Sequence, residues 1–243
     1  MPIKALLDGD IYAYRSSAAS ENEDLAIAIY RLEEMIDLTL HATQADEFSV
    51  FLSGPTNFRY DVYPEYKANR QKLVRPRHLS DLKEYLQDKY AAVVSEGCEA
   101  DDLLGIEQCK QLQNTVICSL DKDLRQIPGN HYSFPISGTS TNGKKWEKAA
   151  DHAVVTEAEG LKFFYYQLLV GDPADNIRGA AGIGKVRATA LLKDLTTEQE
   201  MLEAVRDCYS SEEELLMNGQ CLWIFRKPND IWNIPNFETS IRT

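Results

Sequence analysis

The sequence predicts an α/β fold in which a mostly parallel, twisted sheet is flanked by helices and followed by a helical region. Short apolar runs alternate with segments of helical period, which is typical of a parallel sheet built from strand, helix and strand units. Beyond Gly171 only helical patterns remain. We therefore expect a first domain over residues 1–170 and a helical region over residues 171–243.

Each element is predicted from its own pattern. Strands are expected where a short apolar run ends at a turn or an acid, and helices where apolar residues recur every three or four positions. The stretch 135–152 is rich in Ser, Thr, Gly and Lys, so we expect it to be irregular. The predicted strands are 4–8, 48–52, 91–94 and 115–118, and the predicted helices are 21–43, 99–112, 156–169, 186–192 and 213–225.

The composition predicts a soluble globular protein with a sizeable core, since 44% of the 243 residues are hydrophobic. No apolar stretch approaches the roughly 20 residues that a membrane-spanning helix needs, so we expect a cytoplasmic protein without a membrane partner. The five cysteines form no C-x-x-C pair, and the four histidines are scattered. A bound metal is therefore expected to be a hard ion with oxygen ligands, Mg²⁺ or Mn²⁺, rather than zinc.

The net charge of −12 argues against a nucleic-acid partner, but the charges are segregated. Residues 59–77 hold six basic residues and two acids, whereas residues 194–214 hold eight acids and one Arg. A basic segment in an acidic chain is a candidate phosphate-binding surface, and the acidic segment is expected to face solvent or to repel a polyanion.

Eight acidic residues lie at the ends of apolar runs. Carboxyl ends of parallel strands meet at one edge of a sheet, where open α/β folds bind ligands. The helix macrodipole stabilises acids at a helix start by about 0.3–1 kcal/mol, which accounts for one or two acids but not for three within four positions. Their mutual repulsion in one cleft would be costly unless divalent cations neutralised it. The candidate metal ligands are Asp8, Glu99, Asp101, Asp102, Asp121, Asp123, Asp172 and Asp175.

Aromatic and basic residues alternate between Tyr63 and Arg70. One interpretation is a solvated helix face whose long cations extend along the surface. The other is a phosphate clamp, in which Lys67 and Arg70 hold phosphate oxygens while Tyr66 offers a ring for base stacking. This segment by itself does not decide between them.

A glycine hairpin precedes the helix predicted at 186–192. Glycines allow close approach to a phosphate, and the helix start behind them adds unpaired N–H donors. A nucleotide P-loop requires G-x(4)-G-K-[ST], and Val186 stands where the hydroxyl would be. A helix-hairpin-helix grip on the DNA backbone is therefore favoured, and its carbonyls are also candidates to hold K⁺. The candidate DNA-binding residues are Arg178, Gly179, Gly182, Gly184 and Lys185.

Taken together, these motifs resemble the 5′ nucleases of the flap-endonuclease superfamily, and within it the stand-alone 5′-3′ exonucleases of tailed bacteriophages. The resemblance spans roughly residues 3–193 and rests on five ordered motifs. They are Leu-Leu-Asp8-Gly-Asp10, Tyr66-Lys67-Ala-Asn69-Arg70, Glu99-Ala-Asp101-Asp102, Ser119-Leu-Asp121-Lys-Asp123, and Gly171-Asp172-Pro-Ala-Asp175 leading into the hairpin.

The resemblance implies a resolvase-like, PIN-like core with a helical arch at about 57–80 and a helix-hairpin-helix motif at about 171–193. It implies phosphodiester hydrolysis with two Mg²⁺ or Mn²⁺ ions, in which Lys67 and Arg70 are catalytic because they orient the scissile phosphate. The implied ligands are Asp8, Glu99 and Asp101 for one ion, Asp121, Asp123 and Asp172 for the other, and Asp102 and Asp175 in assisting roles.

The implied substrate is DNA with a 5′ end, flap or nick, or an RNA–DNA hybrid. The implied setting is phage replication, recombination or primer removal in the cytoplasm of an infected bacterial cell. There the protein would act as a monomer and meet replication proteins.

One position departs from the family pattern. Members commonly carry a further metal-site Asp at the end of the second strand, and the matching position in this chain is Gly54. Ser53, Asp10 or water would have to complete the shell, or the first ion would bind more weakly.

Two other functions stay open at this point. A structure-specific DNA-binding protein with a degraded metal site would explain Gly54, and a compact RNA-cutting nuclease would share the acid clusters but would need neither hairpin nor arch. Near the end of the chain, Trp223, Phe225, Trp232 and Phe237 are expected to cover the core rather than to form a partner-binding tail.

Overall fold

The computed structural model describes residues 2–70, 73–140 and 143–237. Lys72 of the basic segment and residues 141–142 of the stretch expected to be irregular lie outside these ranges. The chain divides into two compact units, each formed from separate pieces of sequence. The first comprises Met1–Asn57, Leu73–Thr156 and Ile224–Pro228, and the second comprises Phe58–Lys72, Glu157–Trp223 and Asn229–Thr243.

The helices and strands follow one another in this order: β1 (Lys4–Asp8), α1 (Gly9–Ala19), α2 (Leu25–Thr43), β2 (Glu47–Leu52), α3 (Arg59–Val62), α4 (Leu79–Tyr90), β3 (Val93–Val94), α5 (Ala100–Lys110), β4 (Thr115–Cys118), β5 (Gly129–Ser133), β6 (Ile136–Thr139), β7 (Lys145–Lys148), β8 (Asp151–Val155), α6 (Glu157–Val170), β9 (Gly171–Asp172), β10 (Ile177–Arg178), α7 (Lys185–Leu192), α8 (Glu198–Arg206) and α9 (Glu212–Leu222). Short 3-10 helices lie at Ala68–Arg70, Asp123–Gln126 and Pro173–Asp175.

The first unit contains a six-stranded sheet in the order β3-β2-β1-β4-β5-β8. The first five strands are parallel and only β8 runs antiparallel, at the edge beside β5. β1 is central, so Asp8 at its carboxyl end lies at the middle of the edge where the parallel strands finish. The predicted α/β fold with a mostly parallel sheet is confirmed.

Side chains of alternate strand residues build a core on each face of this sheet, as the period of two requires. Ala5 and Leu7 of β1 pack with residues of α1, α2 and α4. Leu6 points to the other face and packs with Leu104 of α5. Helices on both faces bury a sheet whose strands are apolar on both sides, which is why those strands were recognisable in the sequence.

The sequence prediction differs from the structure at several elements. The stretch 135–152 contains the hairpin of β6 and β7 and the start of β8, whose Asp151 pairs with Ser133 of β5. The residues of β6 and β7 are mostly polar or small and lie half-buried or exposed, so this hairpin carries no apolar run to mark it. Val93 and Val94 form a short exposed edge strand rather than a buried one. Helices α1 and α4 were not predicted.

The second unit is helical around α6. Phe164 and Leu168 of α6 are buried in one apolar cluster with residues of α7, α8 and α9. This packing groups α6 with the later helices, so the structural division falls after Thr156, whereas the sequence suggested a boundary after residue 170. The short ribbon of β9 and β10 also interrupts a region that was expected to be helical only.

Arg59 of the basic segment has a structural role in this unit. Its side chain is 2% exposed, and its guanidinium donates to the carbonyl oxygens of Cys221 (2.9 Å) and Trp223 (2.6 Å). The charge is therefore used to hold the end of α9 against α3, and Arg59 does not contribute to a phosphate-binding surface. Trp232 is buried on Gly219, as expected for an aromatic residue that covers the core, whereas Phe237 is more than a third exposed.

Residues Ile224–Arg226 form a strap that returns to the first unit after α9. The Phe225 N–H donates to Asp102 Oδ1 at 3.1 Å, and Arg226 Nη2 donates to the Gln126 carbonyl oxygen at 3.0 Å. A Cβ atom on Gly105 would lie 2.4 Å from the Phe225 carbonyl oxygen, so the strap requires glycine there. Across the described ranges, no helix is both long and apolar enough to cross a membrane.

We predict that Gly105→Ala destabilises the protein by about 1–3 kcal/mol, because the added methyl group overlaps the Phe225 carbonyl. In an unobstructed helix the same change would stabilise by about 1 kcal/mol. Denaturant unfolding measures the difference. Gly184→Ala is the matched control, because its Cβ would meet no described atom within 4 Å and its φ is negative. A Gly105→Ala protein as stable as the wild type would contradict the tight contact.

Candidate active site

The Asp8 carboxylate is buried where β1 passes into α1. Its Oδ1 accepts the Ile11 N–H at 3.2 Å and caps α1, and its Oδ2 accepts the Ser119 hydroxyl at 2.5 Å. Burial, together with the negative charges of Asp10 and Asp121, raises the pKa of Asp8 to about 7 against the lowering effect of these two hydrogen bonds. Binding of a proton or a cation to the Asp8 carboxylate would therefore be favourable.

Asp121 and Asp123 lie just beyond β4, on the same edge of the sheet. The Asp121 N–H donates to Ser119 Oγ at 3.0 Å, so Ser119 links this turn to Asp8. Asp121 Oδ1 accepts the Asp123 N–H at 2.8 Å, and the Asp123 carboxylate pairs with Lys122 at 2.7 Å. The structure thus links Asp8 to Asp121 through Ser119 and places the charges of Asp10 and Asp121 close enough to act on Asp8, with Asp123 on the adjoining turn.

Glu99, Asp101 and Asp102 lie at the start of α5, as the sequence predicted. Glu99 is the N-cap, and Asp102 Oδ2 accepts the Glu99 N–H at 2.9 Å, which completes a capping box. Asp102 is 0% exposed, and its other oxygen accepts the Phe225 N–H of the strap. Its carboxylate thus accepts two backbone N–H groups and has a structural role, and its metal-assisting role stays a prediction.

The space at Gly54 is closed by Ser95, the residue that follows β3. A Cβ atom there would lie 2.1 Å from the Ser95 carbonyl oxygen, and the Gly54 N–H donates to Ser95 Oγ at 3.1 Å. The backbone therefore leaves no room for a carboxylate at this position.

The two side chains expected to compensate for Gly54 already have other partners. Ser53 Oγ accepts the Ala100 N–H at 3.0 Å, and the Ser53 N–H donates to Asp10 Oδ2 at 2.9 Å. The second oxygen of Asp10 pairs with Lys83 of α4. Within each unit, over the residues that the structure describes, no three or more His, Cys, Asp or Glu side chains form a ready metal cluster. The predicted ligand sets therefore stay predictions.

In the second unit Asp175 lies among the residues of the predicted phosphate clamp. Its Oδ2 accepts the Tyr66 hydroxyl at 2.8 Å and lies 3.6 Å from Lys67 Nζ, and its Oδ1 pairs with Arg70. Tyr66 is 3% exposed, with Lys67 Nζ 4.9 Å from its ring centre. The ring is therefore covered, and the expectation that it stacks on a base is corrected, since Tyr66 instead positions Asp175.

Backbone contacts join the two segments that carry these side chains. The Lys67 N–H donates to the Asp175 carbonyl oxygen at 3.0 Å, and Asn69 Nδ2 donates to the Pro173 carbonyl oxygen at 2.8 Å. Asp172 lies beside them, buried, and its Oδ1 accepts the Ala174 N–H at 3.1 Å. In this motif Asp175 therefore pairs with Lys67 and Arg70, and Asp172 caps the short 3-10 helix Pro173–Asp175.

The glycines of the hairpin divide into two kinds. A Cβ atom on Gly179 would lie 2.3 Å from the Gly171 backbone nitrogen, so Gly179 is required for packing rather than for reaching a ligand. At Gly182 and Gly184 the same atom would meet no described atom within 4 Å, and Gly182 has a φ of 73°. Arg178 and Lys185 are exposed. The open part of the hairpin is thus 182–185, at the start of α7.

Comparison with known proteins matches residues 4–159 to the model of the "5′-3′ exonuclease, N-terminal resolvase-like domain" family. DNA polymerase I of Bacillus caldotenax is 30% identical over 218 residues, which cover 82% of this chain and 24% of that protein. The chain therefore spans about a quarter of the length of this polymerase. A 5′-3′ exonuclease of Buchnera aphidicola is 29% identical over 228 residues, which cover 86% of this chain and 74% of that protein.

Among solved structures, the bacteriophage T5 flap endonuclease in complex with DNA and metal ions aligns with a TM-score of 0.66 at 18% identity, covering 90% of this chain and 88% of that one. This likeness supports the fold. Because the family model covers well over half of the sequence, the chain belongs to the family of 5′-3′ exonuclease N-terminal resolvase-like domains, whose members are nucleases of the hydrolase class.

Proposed function

We propose that the protein is a divalent-metal-dependent 5′-3′ exonuclease and flap endonuclease that hydrolyses phosphodiester bonds of DNA. The observation that carries this proposal is the buried Asp8 carboxylate, whose pKa is raised to about 7 by burial and by Asp10 and Asp121. A group of acids in this state is stabilised by a cation, and oxygen-only donors suit Mg²⁺ or Mn²⁺.

The proposed ligands are those implied by the family motifs, with Asp102 and Asp175 in assisting roles. They are Asp8, Glu99 and Asp101 for one ion, and Asp121, Asp123 and Asp172 for the other. When bound, such ions activate a water molecule and stabilise the charge that develops on the phosphate. The buried hydroxyl of Ser119 supports this arrangement, because it holds Asp8 and the turn of Asp121 in one hydrogen-bonded group.

Residues of the second unit would bind the DNA backbone. Lys67 and Arg70 would hold the oxygens of the scissile phosphate, and the exposed hairpin positions Gly182, Gly184 and Lys185 would grip a duplex phosphate. A monovalent ion such as K⁺ at this hairpin is part of the proposal. The similar proteins include DNA polymerase I, a 5′-3′ exonuclease and a flap endonuclease in complex with DNA. They support DNA with a 5′ end, flap or nick as the substrate class.

We also propose a biological role for this nuclease activity. It comprises cleavage of RNA in RNA–DNA hybrids, action in phage replication, recombination or primer removal, and contact with replication proteins. A second candidate, a structure-specific DNA-binding protein, is favoured by one observation, the Ser95 carbonyl that closes the space at Gly54. The same cleavage experiment separates the two functions.

We predict that Asp121→Asn combined with Asp123→Asn lowers the rate of cleavage of a 5′-flap DNA by about 10³-fold or more, because several kcal/mol of charge stabilisation is lost. DNA binding in EDTA should stay within about threefold, since these acids contact no phosphate in the proposal. The measurements are single-turnover cleavage with Mg²⁺ and fluorescence anisotropy. The control is Glu84→Gln with Asp88→Asn, which removes two exposed charges from α4. A wild-type protein that binds the flap but yields no product would favour the binding protein.

We predict that Asp8→Asn makes the metal-free protein more stable than the wild type above about pH 7. The folded protein keeps the Asp8 carboxyl protonated up to about pH 7, whereas the unfolded chain releases that proton near 3.8, so wild-type stability falls as the pH rises through this window. Asparagine carries no charge and still caps a helix.

The measurement is the difference in Tm between the two proteins in EDTA across pH. The difference should be near zero at about pH 4 and should reach several degrees above about pH 7. Saturating Mg²⁺ should reduce it, because the ion stabilises only the charged form. A difference that does not change with pH would show that the Asp8 carboxyl is not held in its neutral form.

A further inference from the structure

Asp10 lies at a gap in the acidic edge of the sheet. β1 ends in Asp8 and β4 leads to Asp121, whereas β2, the neighbour of β1, leads to the uncharged residues 53–57. Asp10 Oδ2 accepts the Ser53 N–H at 2.9 Å, and Ser53 directly follows the last residue of β2. The carboxylate of a residue in the first turn of α1 is therefore held at the carboxyl end of β2.

The end of β2 cannot supply a carboxylate of its own at Gly54. A Cβ atom there would lie 2.1 Å from the Ser95 carbonyl oxygen, so a negative charge at this place must come from another element. The charge of Asp10 acts on the Asp8 carboxylate, since it is one of the causes that raise the pKa of Asp8. A cation bound by Asp8 would be attracted by the same charge.

Two contacts fix the position of the Asp10 carboxylate. One oxygen accepts the Ser53 N–H, and the other lies 2.5 Å from Lys83 Nζ of α4. Because each oxygen faces a donor, Asp10 would act on an ion through its charge and through bound water rather than as a direct ligand. The side chains of Lys83 and Asp10 are 31% and 28% exposed, so water screens the ammonium and it offsets the charge of Asp10 only in part.

We propose that Asp10 supplies from α1 the negative charge that Gly54 cannot supply from β2, and that it acts on the first metal ion from outside its ligand shell. This inference rests on the proposed function, because it requires that the proposed ligands of that ion bind a divalent cation. Lys83 then has the opposite effect, since its positive charge weakens the attraction between Asp10 and the ion. The two partners of one ion pair are therefore expected to change metal affinity in opposite directions.

The test is the affinity of the DNA-free protein for Mn²⁺, measured by calorimetry. We expect Asp10→Asn to bind Mn²⁺ about three- to thirtyfold more weakly than the wild type, because one negative charge near the ion is lost. Asparagine keeps an oxygen that can accept the Ser53 N–H, so the link to β2 should be retained. Asp10→Glu, which keeps the charge, should stay within about threefold of the wild type.

Lys83→Met separates the effect of charge from that of structure. If the pair served only to hold α1 and α4 together, its loss from either side would weaken Mn²⁺ binding alike. Since Asp10 acts through its charge in the proposal, Lys83→Met should leave the affinity unchanged or raise it by up to about tenfold. Binding by Lys83→Met that is as weak as that of Asp10→Asn would overturn the proposal.

Asp37→Asn is the matched control, because it makes the same change at an exposed acid of α2. Its Mn²⁺ affinity should equal that of the wild type. A loss as large as that of Asp10→Asn would mean that only the net charge of the protein matters, and the role given to Asp10 would be wrong.

Failure of the inference and failure of the proposed function give different results. A folded wild-type protein that binds no Mn²⁺ would refute the proposed metal dependence, and this inference with it. A wild-type protein that binds Mn²⁺ and cleaves flap DNA, together with unchanged affinity in Asp10→Asn, would refute the inference alone. Thermal unfolding confirms that each variant is folded. If Asp10→Asn is not folded, Asp10→Ser carries the same expectation and the same power to overturn it.

Discussion

The arrangement of the candidate site depends on one buried negative charge, the carboxylate of Asp8 at the end of the central strand. Because β1 lies in the middle of the sheet with helices on both faces, its last residue reaches little water. Hydrogen bonds from Ser119 and Ile11 offset only part of that cost, and the neighbouring acids add to it. Such an unfavourable group at the carboxyl edge of a parallel sheet is typical of a functional site, and in the proposed function a cation would compensate for it.

The sequence predicted four strands of the sheet and the positions of the acids because those features are local. Apolar runs ending in an acid mark strands whatever the rest of the chain does, and the acids of Asp8 and Asp121 follow directly from them. The roles of Asp102, Tyr66 and Arg59 were missed because each depends on a partner more than 100 residues away. The only local sign was at Asp102, where an acid three residues after the N-cap is the pattern of a capping box.

Gly54 illustrates a different limit of sequence reasoning. The missing carboxylate was visible in the sequence, but its structural reason was not, because the Ser95 carbonyl that closes the space belongs to the segment after another strand. Asp10, the nearest remaining acid, pairs with Lys83 of α4, a helix that was not predicted. An acid therefore cannot be restored by changing residue 54 alone, since the backbone around Ser95 would also have to move.

The contacts of the strap Ile224–Arg226 affect the order in which the protein folds during synthesis. During synthesis the strands of the first unit leave the ribosome early, yet the residues that satisfy Asp102 and cover Gly105 are made more than 100 positions later. Contacts so distant along the chain close slowly. A nascent chain would thus hold its sheet with a buried carboxylate still lacking one donor. The start of α5, where Asp102 lies, would reach its final form only once the second unit had almost been synthesised.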